Sequence, residues 1–238
     1  MIDIHCHLLY GVDDGARTIE ESVAMLQEAH NQGVEGIILT PHYRHGMFSY
    51  PVEPIADHFM ELKPYAEKLG IVLGLGTEYH VNSRMVDAFK TGRCHTLAGS
   101  RYVLTEYSHD SEFAYIEQMT GELVRNGYVP VLAHVERYAC IMKDPDCADR
   151  IRQLGGWIQL NADAVLGMDG MSTKRFCRKM LGQGLVDVIA SDSHGSRRRP
   201  CHMARCYDKI AKKYSRDYAE KLMTCNPERI LENVGIHQ

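Results

Sequence analysis

The sequence has no long apolar run and no excess of basic residues, and each absence excludes a class of protein. No apolar run approaches the ~20 residues that a membrane-spanning helix needs, so we expect no direct membrane insertion. The chain carries 27 Lys and Arg against 31 Asp and Glu, a net charge of −4. Proteins that bind nucleic acids or membrane surfaces need a positive excess, so we expect no nucleic-acid partner.

The chain also lacks paired cysteine motifs and a recognisable leader. None of its eight cysteines forms a C-x-x-C pair, which excludes a zinc ribbon and a thioredoxin-like redox pair. The N-terminal stretch MIDIHCHLLYG has no basic region followed by an apolar stretch, so we expect no signal peptide. We therefore expect a cytoplasmic protein whose thiols are free and mostly buried.

No low-complexity segment, long linker or composition break divides the chain. Hydrophobic residues make up 45% and charged residues 24% of the sequence, which is typical of globular proteins. We therefore expect residues 1–238 to form a single domain.

Short apolar runs alternate with amphipathic stretches along the chain. The predicted strands are Ile2–His5, Gly36–Thr40, Ile71–Thr77, Tyr102–Glu106, Val129–Ala133, Trp157–Asn161 and Val186–Ser191. The predicted helices are one from Thr18 to Gly33, then Val52–Leu69, Ser111–Asn126, Pro145–Leu154, Ser172–Gln183, His202–Tyr214, Tyr218–Cys225 and Pro227–Val234. Alternating strands and helices predict an α/β fold with parallel strands. Seven such units favour a (β/α) barrel over an open sheet, which periodicity alone does not exclude.

Histidines and carboxylates follow the predicted strands at the same point of the repeat. Those residues are His5, His7, His42, Glu78, Glu106, His134, Asp192 and His194. They recur roughly once or twice per β/α unit of about 30 residues, so their side chains should meet at one end of the fold. Each of these residues alone is commonly polar surface or a satisfied core group. Their shared phase is what favours a functional site.

Convergence of so many imidazoles and carboxylates predicts bound cations, because the groups would otherwise repel each other and lose their hydration. Histidine with carboxylate and no thiolate suits Mn, Fe or Zn. The ligands exceed what one ion needs, so we predict a site of two or three metals, with Glu78 as a bridging carboxylate. His45 and His80 lie close to the predicted site and stay unassigned.

The sequence resembles a known family at stretches spread over nearly its whole length. These are MIDIHCHLLYGVDDG, EESVAMLQEAHNQGVEGIILTPHYRHGMF, GTEYH, SRYVLTEY, VPVLAHVERY, IQLNADAVLG and IASDSHGSRRRPCHMARCYDKIAKKY. They are similar to the polymerase-and-histidinol-phosphatase (PHP) phosphoesterases, and in particular to the bacterial tyrosine-protein phosphatases of capsule and exopolysaccharide operons. The resemblance implies a distorted, TIM-like (β/α)7 barrel, the PHP domain, with three divalent metal ions. We expect manganese, with iron or zinc as alternatives.

The resemblance also assigns site residues. The metal ligands that it implies are His5, His7, Asp14, His42, Glu78, Glu106, His134, Asp192 and His194. Spacing alone does not decide between Asp13 and Asp14, since either could form a turn before the first helix. Arg137 and Arg199 match the family's phosphate-contacting arginines, and a planar guanidinium suits that role.

We therefore expect a metal-dependent phosphatase that hydrolyses phosphotyrosine in protein. The substrate that the resemblance implies is a bacterial tyrosine autokinase that regulates capsule or exopolysaccharide synthesis. A covalent cysteine route is unsupported, because no cysteine has an arginine six positions further along the chain. The alternatives are a small-molecule phosphomonoesterase, such as a histidinol phosphatase, and a non-catalytic binding module stabilised by metal. The oligomeric state stays open.

Overall fold

A computed structural model of the chain describes residues 1–233. The predicted end of the last helix at Val234 lies outside the described residues. None of the described helices has the length and apolar composition needed to cross a membrane.

Within residues 1–233, nine strands form, and every pairing between them is parallel. They are β1 (Ile2–Cys6), β2 (Gly36–Leu39), β3 (His42–Tyr43), β4 (Val72–Leu75), β5 (Glu78–His80), β6 (Tyr102–Glu106), β7 (Val129–Leu132), β8 (Trp157–Asn161) and β9 (Val188–Ala190). The strand order is β1-β2-β4 in one sheet and β3-β5-β6-β7-β8-β9 in the other. The predicted α/β class with parallel strands is confirmed.

Two of the seven predicted strands are each followed by a second short strand. The run Gly36–Thr40 holds β2 and leads into β3, and Ile71–Thr77 holds β4 and leads into β5. Pro41 stands between β2 and β3, where it has no N–H to donate. Backbone bonds nevertheless cross both interruptions: Gly76 N donates to Leu39 O over 2.7 Å and Glu78 N donates to Pro41 O over 3.2 Å.

The parallel sheet curls so that its last strand approaches its first. Asp192 N, just after β9, donates to His5 O over 2.8 Å. His7 N donates to Ser193 O over 2.9 Å. The carboxyl ends of β1 and β9 are therefore neighbours, which brings the polar residues of both ends to one edge.

Helices cover the sheet between successive strands. They are α1 (Ile19–Asn31), α2 (Val52–Lys68), α3 (Met85–Lys90), α4 (Phe113–Arg125), α5 (Ala139–Lys143), α6 (Asp146–Gln153), α7 (Ala162–Leu166), α8 (Met171–Gly182), α9 (Met203–Lys213), α10 (Arg216–Glu220) and α11 (Asn226–Leu231). The predicted start of α1 is confirmed, since the Thr18 hydroxyl accepts from Glu21 N over 3.4 Å. Three short helices, α3, α5 and α7, were not apparent from periodicity.

The predicted boundary at Tyr218 is wrong. Helix α10 begins two residues earlier, because the Ser215 hydroxyl accepts a bond from Tyr218 N over 3.0 Å and so caps the helix. A π-helical turn, Lys221–Cys225, then joins α10 to α11.

Alternate residues along the strands pack into two separate cores. Leu104 and Trp157 belong to a cluster on the inner face of the curled sheet, while Val103 packs against the helices on the outer face. Successive strand residues point to opposite faces, so one strand contributes to both cores. The eight cysteines carry free thiols, and six of them are buried, as expected.

Replacing Leu104 by alanine should lower the free energy of unfolding by about 2–5 kcal/mol, because it leaves a cavity in the fully buried inner core. The matched control is Met60→Ala, since Met60 is 61% exposed on α2 and its truncation should change stability by at most about 0.5 kcal/mol. Denaturant titration of both variants in excess chelator measures the difference. Equal effects would contradict the assignment of Leu104 to the core.

Candidate metal centre

Three imidazoles surround one oxygen of the Glu78 carboxylate. Oε2 of Glu78 lies 3.1 Å from His5 Nε2, 3.1 Å from His7 Nε2 and 3.1 Å from His42 Nδ1. The Nε2 atoms of His5 and His7 lie only 3.3 Å apart. Nitrogen atoms that converge on one point in this way are arranged as ligands to a cation.

Hydrogen bonding alone does not satisfy these buried atoms. Glu78 Oε2, His42 Nδ1, His134 Nδ1 and Glu106 Oε2 are buried and have no hydrogen-bond partner in the described part of the chain. The short distances at Glu78 Oε2 therefore lack hydrogen-bond geometry. Buried polar atoms without partners cost free energy unless a ligand supplies the interaction. The residues present fit divalent metal ions.

The donor atoms form four groups, and within each group all the donor atoms lie within 4.8 Å of one another. They are His7–Asp14–His42–His194, His5–His134–Asp192, His5–His7–Glu78 and His42–Glu78–Glu106. The structure thus brings together all nine residues that the sequence singled out. Glu78 belongs to two groups, and its Oε1 also lies 2.7 Å from His134 Nε2. That central place is what a bridging carboxylate requires.

Burial and neighbouring charge set the protonation of these groups. Burial and the charge of Glu78 raise the pKa of Glu106 to about 7. Burial lowers the pKa of His42 to about 4, so that its imidazole is neutral at neutral pH. Burial also lowers the pKa of His7, but Asp13 and Glu78 together raise it by more than burial lowers it. The net pKa therefore lies well above the ordinary value.

The two aspartates of GVDDG have different roles. Asp13 Oδ1 accepts from Gly15 N over 2.9 Å in a tight turn, and Asp13 Oδ2 lies 2.8 Å from His7 Nδ1. A carboxylate on Nδ1 holds the ring so that Nε2 faces Glu78. Asp14 instead points to the cluster, with Oδ1 3.5 Å from His42 Nε2 and 3.6 Å from His194 Nε2. The turn that the sequence left open to either aspartate is thus formed by Asp13, and Asp14 is the aspartate that lies beside the clustered histidines.

Glycine at position 15 is required by the close approach of His7. A Cβ at Gly15 would lie 1.9 Å from the carbonyl oxygen of His7. No side chain fits there without displacing the turn. The GVDDG motif therefore fixes the backbone beside one of the clustered histidines.

The two carboxylate oxygens of Asp192 contact different groups, with imidazoles near one oxygen and arginines at the other. Oδ1 lies 3.5 Å from His5 Nε2 and 3.6 Å from His7 Nε2. Oδ2 accepts a bond from Arg137 Nη2 over 2.8 Å and also contacts Arg199 Nη2. Those contacts, together with that of His5, hold the pKa of Asp192 below its ordinary value against the effect of burial.

Arg137 and Arg199 keep donors available for a ligand. Their side chains are 41% and 36% exposed and line a cavity of about 280 Å³ beside Asp192. A guanidinium carries five N–H donors, and within residues 1–233 each of these two side chains hydrogen-bonds only to Asp192. Planar cations placed in this way can hold two oxygens of an anion at once.

Gln159 is a site residue that sequence reasoning missed. Its Oε1 accepts from His134 N over 2.7 Å and lies 3.2 Å from His5 Nδ1. Its Nε2 donates to Asn161 Oδ1 over 2.8 Å, and Asn161 Nδ2 donates to Asp192 Oδ2 over 2.7 Å. The signal was the alternation in WIQLN, which places two amides on one face of β8. These amides orient the groups that face the cluster.

Three non-glycine residues of the site have positive φ. They are His134 at 34°, Asp192 at 53° and Arg199 at 58°. Such conformations cost of order 1–3 kcal/mol each and concentrate at functional sites. The fold therefore accepts local backbone strain to direct these side chains.

The two unassigned histidines stay outside the donor groups. His80 Nε2 lies 3.3 Å from Ser108 Oγ. His45 lines a separate cavity with Tyr79 and Arg84. Neither belongs to the four donor groups found in the described part of the chain.

Replacing Asp13 by asparagine should weaken metal binding by about 10- to 100-fold, because the amide no longer fixes the ring of His7. The matched control is Asp208→Asn, an exposed aspartate on α9, which should bind metal like the wild type. Titration calorimetry of the metal-free proteins with Mn²⁺ measures the affinity directly. An unchanged affinity in the Asp13 variant would contradict the orienting role.

Comparison with solved structures supports the architecture. One solved chain, described under "Crystal structures of YwqE from Bacillus subtilis and CpsB from Streptococcus pneumoniae, unique metal-dependent tyrosine phosphatases", matches with a TM-score of 0.90 at 29% identity, covering 100% of this chain and 96% of the other. A mutant organophosphorus hydrolase from Deinococcus radiodurans matches with a TM-score of 0.67 at 12% identity over 97% of this chain and 92% of the other. That second likeness concerns the fold alone.

Sequence relatives cover almost the whole chain. "Tyrosine-protein phosphatase CpsB" of Streptococcus pneumoniae is 34% identical over 238 residues, which is 97% of this chain and 98% of that protein. "Putative tyrosine-protein phosphatase CapC" of Staphylococcus aureus is 31% identical over 239 residues, which is 99% and 93%. The family described as "Capsular polysaccharide synthesis, CpsB/CapC" matches residues 1–232. The chain belongs to the CpsB/CapC family.

Proposed function

We propose that the chain is a metal-dependent protein-tyrosine phosphatase that hydrolyses phosphotyrosine. The observation that carries this proposal is the Glu78 carboxylate oxygen, 3.1 Å from three imidazole nitrogens, beside two arginines on Asp192. Cations held at Glu78 and guanidinium groups next to them suit a phosphate monoester. The names of the relatives support the same activity.

We propose that the centre holds three divalent ions, manganese first, with iron or zinc as alternatives. Their ligands would be His5, His7, Asp14, His42, Glu78, Glu106, His134, Asp192 and His194. The four donor groups found within residues 1–233 consist of histidines and carboxylates and include no cysteine, which supports this choice. When bound, such ions lower the pKa of water and offset the charge of a phosphoryl group.

The chain's own residues bind and orient the substrate. Arg137 and Arg199 hold the non-bridging oxygens of the phosphoryl group and stabilise the charge that these oxygens carry in the transition state. Asp192 and Asn161 fix the position of that pair. The tyrosine leaving group has a pKa of about 10, so it needs less help from an acid than an alkyl alcohol does. We therefore assign no general acid.

For the fold, we propose a distorted (β/α)7 barrel formed as a single domain over residues 1–238. Backbone bonds join the segment of β4 and β5 to the segment of β2 and β3, and others join the residues after β9 to the end of β1 and to His7. These bonds support seven strand positions around one barrel. We also propose a cytoplasmic location. The physiological substrate would be a bacterial tyrosine kinase that regulates capsule or exopolysaccharide synthesis, and the family description supports the link to capsule synthesis.

Excess chelator should abolish hydrolysis of a phosphotyrosyl peptide, and added Mn²⁺ should restore it, because the clustered donors act only through the ions. Alkylation of thiols should leave activity unchanged, since burial raises the pKa of thiols such as Cys177 and Cys206. The same assay with histidinol phosphate should give a lower kcat/KM. Full activity in chelator, or fewer than two ions per chain by elemental analysis, would contradict the proposed centre.

Replacing Arg137 by alanine should lower kcat by roughly 100-fold, the usual effect of removing one transition-state donor. The melting temperature and the metal content should stay near those of the wild type. A non-catalytic binding module would show no turnover to lose, so the comparison separates the two functions. An Arg137→Ala variant with full turnover would remove this residue from the mechanism.

A further inference from the structure

A second cavity opens next to the metal centre. It has a volume of about 550 Å³ and is lined by Asp14 and His194, by the residues around the start of α1, and by the loop between β9 and α9. Three arginines that the proposed mechanism does not use, Arg17, Arg197 and Arg198, contribute to its wall. All three are exposed.

The guanidinium groups of these arginines have no partner in residues 1–233. Arg17 bonds only through its backbone N–H, which donates to Glu21 Oε2 over 3.0 Å. No hydrogen bond or ion pair of the Arg197 and Arg198 side chains exists in the same part of the chain. Arg199, by contrast, is already bound to Asp192. Three planar cations around one cavity thus remain available to a ligand.

The three acidic residues that line the cavity have other partners, and that of Asp14 is His194, whose Nε2 lies 3.6 Å from Asp14 Oδ1. Glu20 and Glu21 lie in the first turn of α1, where the helix dipole favours negative charge. A hydrogen bond with Thr18 lowers the pKa of Glu20. Glu21 accepts the bond from the Arg17 backbone. These carboxylates stabilise the helix start and leave the three guanidinium groups to an incoming anion.

We propose that Arg17, Arg197 and Arg198 form a subsite for a second anionic group of the substrate, close to the phosphotyrosine. The inference rests on the proposed phosphatase function, which places the phosphoryl group at the neighbouring centre. The guanidinium fork binds both carboxylates and phosphates. The second anion is therefore an acidic side chain or a second phosphoryl group on an adjacent residue.

The test compares phosphotyrosyl peptides of equal length whose flanking residues are alanine, glutamate, lysine, or a second phosphotyrosine. At low ionic strength, the wild type should hydrolyse the anionic peptides with a kcat/KM about fivefold above that of the alanine peptide, the scale expected for a few exposed ion pairs. The gain should come from KM. It should shrink in high salt, because exposed charges are screened.

Charge reversal provides the decisive variant. In the double variant Arg197→Glu with Arg198→Glu, the lysine peptide should become the preferred substrate. Each preference is a ratio measured within one protein, so a general loss of turnover cancels. The matched control is Arg101→Glu, an exposed arginine directly before β6, at the opposite end of that strand from Glu106. This control should keep the wild-type preference.

Each outcome bears on the subsite. Equal kcat/KM for the alanine and anionic peptides, or a preference that survives charge reversal, overturns it. A preference for the doubly phosphorylated peptide alone supports the subsite and identifies the second anion as a phosphoryl group. Failure of the wild type to hydrolyse p-nitrophenyl phosphate, which has no flanking residues, overturns the phosphatase function itself, and the subsite with it.

Discussion

The attraction between the buried Glu78 carboxylate and the imidazoles around it is the interaction on which the rest of the site depends. Burial raises the pKa of Glu78, but the opposing effect of His5 and His42 is larger. The net pKa therefore lies well below the ordinary value. A buried carboxylate that stays ionised attracts cations. His5 lies near the end of β1, whereas His42 and Glu78 begin β3 and β5, the short strands that follow β2 and β4. Parallel strands bring these positions to one edge of the fold.

Residues outside the four donor groups determine how the clustered side chains are oriented. Asp13 holds the ring of His7, and Gln159 contacts both His5 and the backbone of His134. Outer partners of this kind fix the orientation of metal-binding imidazoles. The positive φ of His134 adds a constraint from the backbone. The geometry of the centre is thus set by the surrounding turns as much as by the strands.

The sequence predicts which polar residues follow the strands, but it does not predict the hydrogen bonds of the turns. Residues such as His42 and His134 were predictable, because their phase in the β/α repeat follows from the strand pattern. Gln159 was missed: the alternation in WIQLN places its amide on the same face of β8 as that of Asn161, but it does not show that this amide contacts His5 and the backbone of His134. The start of α10 at Arg216 was also missed, because the capping role of Ser215 depends on one local hydrogen bond. The division of β2 from β3 depends on the backbone around Pro41, which hydrophobic periodicity does not report.

Asp192 joins the two halves of the site through a single carboxylate. One oxygen faces the imidazoles, and the other holds Arg137 and Arg199. Any cation that draws electron density toward the first oxygen weakens the hold of the second on the guanidinium groups and frees them for an incoming anion. Occupancy of the two halves is then thermodynamically linked, and by reciprocity the anion strengthens retention of the cation to the same degree.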